Sequence, residues 1–325
     1  MFNGVCDYKH FLLLTGGVFL LLKDLLKEFI LELEIRNYSK RTLKGYRNNN
    51  LLMFTYLEKQ FNVTNVEDVK TTHIKSYIKF LQRQGRKPTY VNGIVKCFRA
   101  FFKYAIDEEI IEINPMLKVN WVKENKVIIN TFNDDEVARM MKVYVGSDYM
   151  NIRNKCILAL LFDTGIRNLE LCSIKNADIK DTYLIIKQGK GRKDRSVALS
   201  PYTRQIIIRY VRCRDSYFAN RNIDGITPFF LSYRFRALTI ESVERVMKIA
   251  GIKGAVSSDI RVSPHTARHY YAQKNLKLGM DIYTLSRLLG HENVSISKRY
   301  LQSIQDAEIV EMSVKSSPLM NLKRK

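Results

Sequence analysis

Five short stretches of this chain carry residue types that grip an anion or move a proton. They are Thr164-Gly165-Ile166-Arg167-Asn168-Leu169-Glu170-Leu171, Gly189-Lys190-Gly191-Arg192-Lys193-Asp194-Arg195, His265-Thr266-Ala267-Arg268-His269, Leu289-Gly290-His291, and Tyr300, nine residues beyond His291. Guanidiniums are planar, permanently charged and donate in pairs, which suits the oxygens of a phosphate. Imidazoles titrate near neutral pH. A tyrosine hydroxyl becomes a nucleophile once a base takes its proton. Each stretch also has an ordinary structural reading: a helix-capping arginine, a solvated turn lysine, a packed histidine or tyrosine. Brought together, they would make a phosphoryl-transfer site.

The scaffold for such a site is large. A chain of 325 residues accommodates two domains, and 46% hydrophobic content is that of an ordinary globular protein. The net charge of +22 is not ordinary. A surface that basic attracts polyanions, of which nucleic acids and anionic membrane faces are the common ones. The five cysteines are odd in number and include no C-x-x-C, which points to reduced thiols buried in a reducing, cytoplasmic compartment. The five histidines show no H-E-x-x-H or comparable spacing, so no metal is expected.

Residues 1–20 form an apolar N-terminal extension. Its run at 11–22 is too short for a membrane span of ~20 residues, and K-D-L-L-K follows where a signal peptide would need small residues. Three readings stay open for it: a helix packed on the body, an interfacial anchor, or an extension from an upstream start codon. From residue 21 to 112, apolar residues recur at helical spacing in four segments. One begins at Leu21, one is capped by Ser39 and carries Leu43, Tyr46, Leu51, Phe54 and Leu57, one is capped by Thr71 or Thr72, and one runs from Thr89 to Ile106. Basic residues gather near helix starts, at Lys40, Arg41, Lys44 and Arg47 and again at Arg86 and Lys87. Pro115 stops the helical pattern, and 113–130 reads as a linker. From 131 to 312 the chain is again mostly helical. The period changes at 183–187 and 196–199, which predicts a β-hairpin with Gly189-Lys190-Gly191 at its turn. Residues 313–325 are a basic tail.

The set T-G-I-R-x-x-E-L, G-K-G-x-K-x-R, H-x-x-R-H, L-G-H and a tyrosine nine residues on resembles the tyrosine recombinases, a family that includes phage integrases and Xer-type resolvases. The resemblance covers about residues 21–312. It implies a mainly α fold with a small β-sheet: a helical SAM-like core-binding domain, then the α+β catalytic domain of DNA breaking-rejoining enzymes. Ala267 stands where the family more often has Leu, and Gln273 where it has Thr. The extension is too short for the arm-binding domain that many integrases carry, which speaks against a lambda-like enzyme with two classes of DNA site.

By this resemblance Tyr300 is the nucleophile, attacking phosphorus to leave a 3′-phosphotyrosine and a free 5′-hydroxyl. Arg167 and Arg268 bind the non-bridging oxygens. Lys190 protonates the leaving 5′-oxygen, with Arg192 and Lys193 close enough to be confused with it. His265 takes the tyrosine proton or hydrogen-bonds the phosphate, and His291 holds a non-bridging oxygen. Glu170 orients Arg167. His269 reads as a packing residue or one that acts through its neighbours. DNA contacts are expected from Lys40, Arg41, Lys44, Arg47, Arg86, Lys87, Arg192 and Lys193. The implied partners are double-stranded recombination sites, a homotetramer in the synapse and host or element-encoded accessory proteins, with no membrane, no metal and no ATP. Lys/Asn/Ile-rich usage suggests integration and excision of a mobile element. The alternatives are an Xer-like dimer or plasmid resolvase, and a DNA-binding relic without activity.

Overall fold

The computed structural model describes residues 20–124, 129–187, 194–221, 228–291 and 293–301. Its contacts divide the chain into two compact units, Met1–Lys126 and Val127–Lys325.

Among its described residues the first unit holds four helices: α1 (Leu22–Ile35), α2 (Lys40–Phe61), α3 (Thr71–Arg83) and α4 (Pro88–Asp107). Two of the starts have a clear chemical cause. Ser39 accepts the amide of Thr42, and Pro88 occupies the first turn of α4, where its missing N–H removes nothing. Thr71 proves to be the first helical residue of α3 and not its cap, and its hydroxyl donates to Pro115 O at 2.8 Å. The buried face of α2 is Asn50, Met53, Phe54 and Leu57. Leu51, expected inside, is exposed, because the 3.6-residue period carries the core stripe from Tyr46 through Asn50. A polar residue at a core position hid that register, and Asn50 makes the position tolerable by donating to Tyr46 O at 2.9 Å.

Phe29, Phe54, Phe98, Phe101 and Phe102 fill the centre, with Phe29 edge-on to Phe101 at 5.8 Å. Each such buried ring contributes about 1.5–3 kcal/mol. Helix α4 ends at Asp107, well before Pro115, and the chain beyond it packs back on the same core through Met116 and Val119.

The second unit is built on α6 (Tyr149–Thr164), which follows α5 (Asp134–Met141) and is buried on nearly every side. Such a helix shows no amphipathic stripe, because neighbours cover its whole circumference. Next come the short α7 (Asn168–Cys172), then β1 (Tyr183–Ile186) and β2 (Arg195–Ala198), paired antiparallel with Ile186 opposite Arg195. Helices α8 (Pro201–Tyr217), α9 (Ile240–Lys253), α10 (Pro264–Lys277), α11 (Ile282–Leu289) and α12 (Val294–Leu301) follow among the described residues. Ala267 is fully buried on α10, and Gln273 donates to Ile129 O at 2.9 Å. Of the described cysteines, Cys156 is buried, while Cys97, Cys172 and Cys213 are only half-buried. Among the described residues no helix is long and apolar enough to cross a membrane.

Two glycines set the chain direction around the residues of interest. Gly165 ends α6 at φ +60°, and a Cβ there would lie 2.5 Å from the Tyr271 ring. Gly290 ends α11 at φ +63°. Both are left-handed caps that other residues adopt at a steric cost.

Candidate active site

The turn at the end of α11 organises three arginines. Three successive carbonyls each receive one guanidinium: Leu288 O from Arg195 Nε at 2.7 Å, Leu289 O from Arg268 Nη2, and Gly290 O from Arg167 Nη2 at 2.9 Å. The last carbonyls of a helix are unpaired and carry the negative end of its dipole, so cations are favoured there. Arg268 also donates through Nη1 to Gly165 O at 2.7 Å, beyond the end of α6. Its guanidinium is therefore held from two sides, and the residue is 3% exposed.

Glu170 ties the cluster together. Its carboxylate accepts two bonds from Arg195, at 2.9 and 2.7 Å, one from Arg167 Nη1 at 2.8 Å and one from the Arg167 amide at 2.9 Å. Arg167 is the N-cap of α7 and Glu170 its third residue, so the helix start itself sets this pair. Burial alone would raise the Glu170 carboxyl, but the bonds and charge of Arg195, then those of Arg167, hold it down at about 2. Burial pushes Arg268 down to about 10, with the Arg167 charge adding to the effect. Two guanidiniums thus pair with one carboxylate while the third, that of Arg268, is held on backbone carbonyls, and the surplus positive charge suits an anion.

The carboxylate also sets an acid limit on stability. The folded value lies below the ordinary value of about 4.3, so its contribution is complete above that value and is lost as pH falls through about 2. The expected loss is on the order of 3 kcal/mol. Urea midpoints measured from pH 5 to pH 2 should therefore fall more steeply for wild type than for Glu170→Gln. Parallel curves would remove this account of Glu170.

The histidines and the tyrosine lie beside this cluster. His265 and His269 are one turn apart on α10, with ring centroids 4.2 Å apart. His265 is exposed, though desolvation and the charges of Arg268, Arg167 and Arg261 still lower its pKa. His269 is deeper, lowered to about 4 by burial and then by His265 and Arg268. His291 is lowered to about 4 by burial, Arg268 and Arg167, and its Nδ1 lies 2.8 Å from Ser297 Oγ. Near neutral pH these imidazoles are uncharged and able to accept a proton. Tyr300 is 3% exposed and packs among Tyr271, Ala272, Leu276, Leu285 and Leu289. Its ring is parallel to that of His291 within 16° at 6.5 Å, and its Oη lies 3.1 Å from His269 Nδ1.

The fold therefore gathers Arg167, Glu170, His265, Arg268, His291 and Tyr300 in one unit. Lys190, Arg192 and Lys193 lie outside the described residues. Lys40, Arg41, Lys44, Arg47, Arg86 and Lys87 belong to the first unit, where all six are exposed, with Lys40, Lys44 and Arg47 on one face of α2. Two further residues, Arg195 and His269, lie in the same cluster. Arg195 closes the G-K-G-x-K-x-R stretch, and its position in that motif was the only signal for it. His269, expected to pack or to act through its neighbours, places its Nδ1 3.1 Å from the tyrosine hydroxyl.

Comparison with known proteins points the same way. The phage integrase family model matches residues 117–306, and the model for the phage integrase N-terminal SAM-like domain matches residues 25–112. Tyrosine recombinase XerC of Bacillus licheniformis is 28% identical over 287 residues, which span 87% of this chain and 93% of that protein. Tyrosine recombinase XerC of Staphylococcus aureus is 31% identical over 271 residues, 82% of this chain and 87% of its own. Among solved structures, a lambda integrase tetramer bound to a Holliday junction superposes with a TM-score of 0.70 at 19% identity, covering 87% of this chain and 78% of that one.

Proposed function

The chain belongs to the phage integrase family and is a tyrosine-type site-specific DNA recombinase, and on that premise we propose that Tyr300 is the nucleophile that cuts and rejoins its DNA. The Tyr300 oxygen forms a bond to the scissile phosphorus as the bond to the 5′-oxygen breaks. The strand is left as a 3′-phosphotyrosine with a free 5′-hydroxyl, and the conserved bond energy allows rejoining without ATP. Arg167 and Arg268 bind the non-bridging oxygens, and fixed donors of this kind are usually the largest catalytic contribution. His291 joins them on the phosphate, and His265, exposed and within the electrostatic reach of both arginines, hydrogen-bonds it as well. Lys190 protonates the 5′-oxygen. Glu170 holds Arg167 in the pose that serves the phosphate.

The observation that carries this reading is the carbonyl triplet at 288–290, which fixes three guanidiniums from distant parts of the chain beside Tyr300. DNA is met also by Lys40, Arg41, Lys44, Arg47, Arg86, Lys87, Arg192 and Lys193, and protomers assemble as a homotetramer on paired sites, with accessory proteins setting direction. We place the biological role in integration and excision of a mobile element. An Xer-like resolvase role is the second reading, favoured by likeness to proteins named tyrosine recombinase XerC over most of the chain.

A nicked suicide substrate carrying the protein's own site tests the chemistry. Wild type is expected to give a denaturant-resistant protein–DNA adduct, and mass spectrometry after nuclease trimming should place the nucleotide remnant on Tyr300. A remnant on another residue, or no adduct on a site the protein binds, would overturn the reading.

A further inference from the structure

We infer that His269 is the group that receives the proton of Tyr300 as its oxygen attacks phosphorus. This rests on the reading of Tyr300 as nucleophile. The geometry makes His269 the natural acceptor: its Nδ1 lies 3.1 Å from Tyr300 Oη, within the reach a base needs for the proton it removes. The other two imidazoles are placed for different work. His291 Nδ1 is engaged with Ser297 Oγ at 2.8 Å. His265 sits one turn nearer the start of α10, exposed, among the charges of Arg268, Arg167 and Arg261. A phosphate approaching the arginines meets His265 first, while His269 stays behind it against the nucleophile.

The electrostatics agree with this division. Burial, His265 and Arg268 keep the His269 imidazole neutral at neutral pH, so a lone pair is available. A DNA phosphate beside Arg268 brings negative charge to a site now dominated by cations. That charge favours the imidazolium, so the base strengthens when substrate is in place. The step balances. The Tyr300 proton passes to His269 Nδ1, an oxygen lone pair forms the O–P bond, and the P–O5′ pair leaves on the 5′-oxygen, which takes its proton from Lys190. In rejoining, the 5′-hydroxyl attacks phosphorus, and the imidazolium returns its proton to the departing Tyr300 oxygen.

The test uses single-turnover cleavage of the suicide substrate by the full chain. His269→Asn keeps an amide able to hydrogen-bond the hydroxyl but cannot take a proton, while His269→Ala leaves a space for an added base. Both are expected to bind the site as wild type does and to cleave it about 10²-fold or more slowly. Added imidazoles should restore cleavage by His269→Ala, more so the stronger the base. Cleavage by His269→Asn near the wild-type rate would overturn the inference by reducing His269 to a positioning residue. Absence of rescue, or rescue independent of base strength, would overturn it as well. Tyr300→Phe runs alongside. If it still forms an adduct, the nucleophile reading itself has failed. If it is silent while His269→Asn cleaves normally, only the inference about His269 falls.

Discussion

Tyr300→Phe is expected to fold, to bind its DNA sites and to form no covalent adduct, a loss limited only by the sensitivity of the assay. The ring of Tyr300 is a packing element among Tyr271, Ala272, Leu276, Leu285 and Leu289, and phenylalanine keeps that ring. What disappears is one hydroxyl and its bond to His269, a net contribution of about 1 kcal/mol. The melting temperature should therefore move by only a few degrees. DNA affinity rests on cations that neutralise phosphates, and the substitution removes none of them, so the affinity and its salt dependence should match wild type. Neighbouring tyrosines are poor substitutes. Tyr270 donates its hydroxyl to Asp134 at 2.8 Å, and Tyr283 is 69% exposed. Any adduct from Tyr300→Phe above that of a protein-free control would sink the assignment. Loss of DNA binding in the same variant would show instead that the hydroxyl serves the fold or the interface.

Much of this site could be read from the sequence, and the part that could not has a physical reason. Helix periodicity and start signals marked the elements because they are local: Ser39 caps α2, and Gly165 and Gly290 end their helices in the left-handed conformation that favours glycine. The side chains proposed to carry the chemistry were picked out by their order along the chain and its resemblance to the family. The arrangement that fixes them was hidden, because it is made of backbone. Nothing in the identities of Leu288, Leu289 and Gly290 says that their carbonyls will hold Arg195, Arg268 and Arg167, since that depends on how α11 docks beside β2 and α10. For the same reason Arg195 had no assigned partner until the fold brought it to Glu170. His265 and His269 posed a different difficulty. Four residues apart, they share one helix face, and only the position of α12 decides which of them meets Tyr300. Asn50 shows the reverse error, where a polar residue in a core stripe shifted the expected face of α2 by one position.

Arg268→Lys is expected to slow cleavage by about 10³-fold while leaving most DNA affinity in place, and Arg268→Ala should slow it at least as much and destabilise the fold as well. Arg268 is 3% exposed, and its guanidinium spans two carbonyls, with Nη1 on Gly165 O and Nη2 on Leu289 O. A lysine ammonium preserves the charge but is a single point, so it cannot satisfy both carbonyls and still present a planar fork to a phosphate. Loss of one preorganised donor to a developing oxyanion typically costs 10²–10³ in rate, and Arg268 would supply a charged one, so the upper end of that range, about 4 kcal/mol of transition-state stabilisation, is the reasonable expectation. Alanine further leaves two buried carbonyls unpaired, at about 1–3 kcal/mol each, which a thermal melt would register. Arg167, whose side chain is 27% exposed, should show a similar rate loss with a smaller effect on stability. Binding measured across a salt series separates charge from geometry. Alanine should reduce the slope by about one phosphate contact and lysine should not. If Arg268→Lys cleaved within tenfold of wild type, the fork held by those two carbonyls would have no part in stabilising the transition state. The arginine's role would then shrink to its charge.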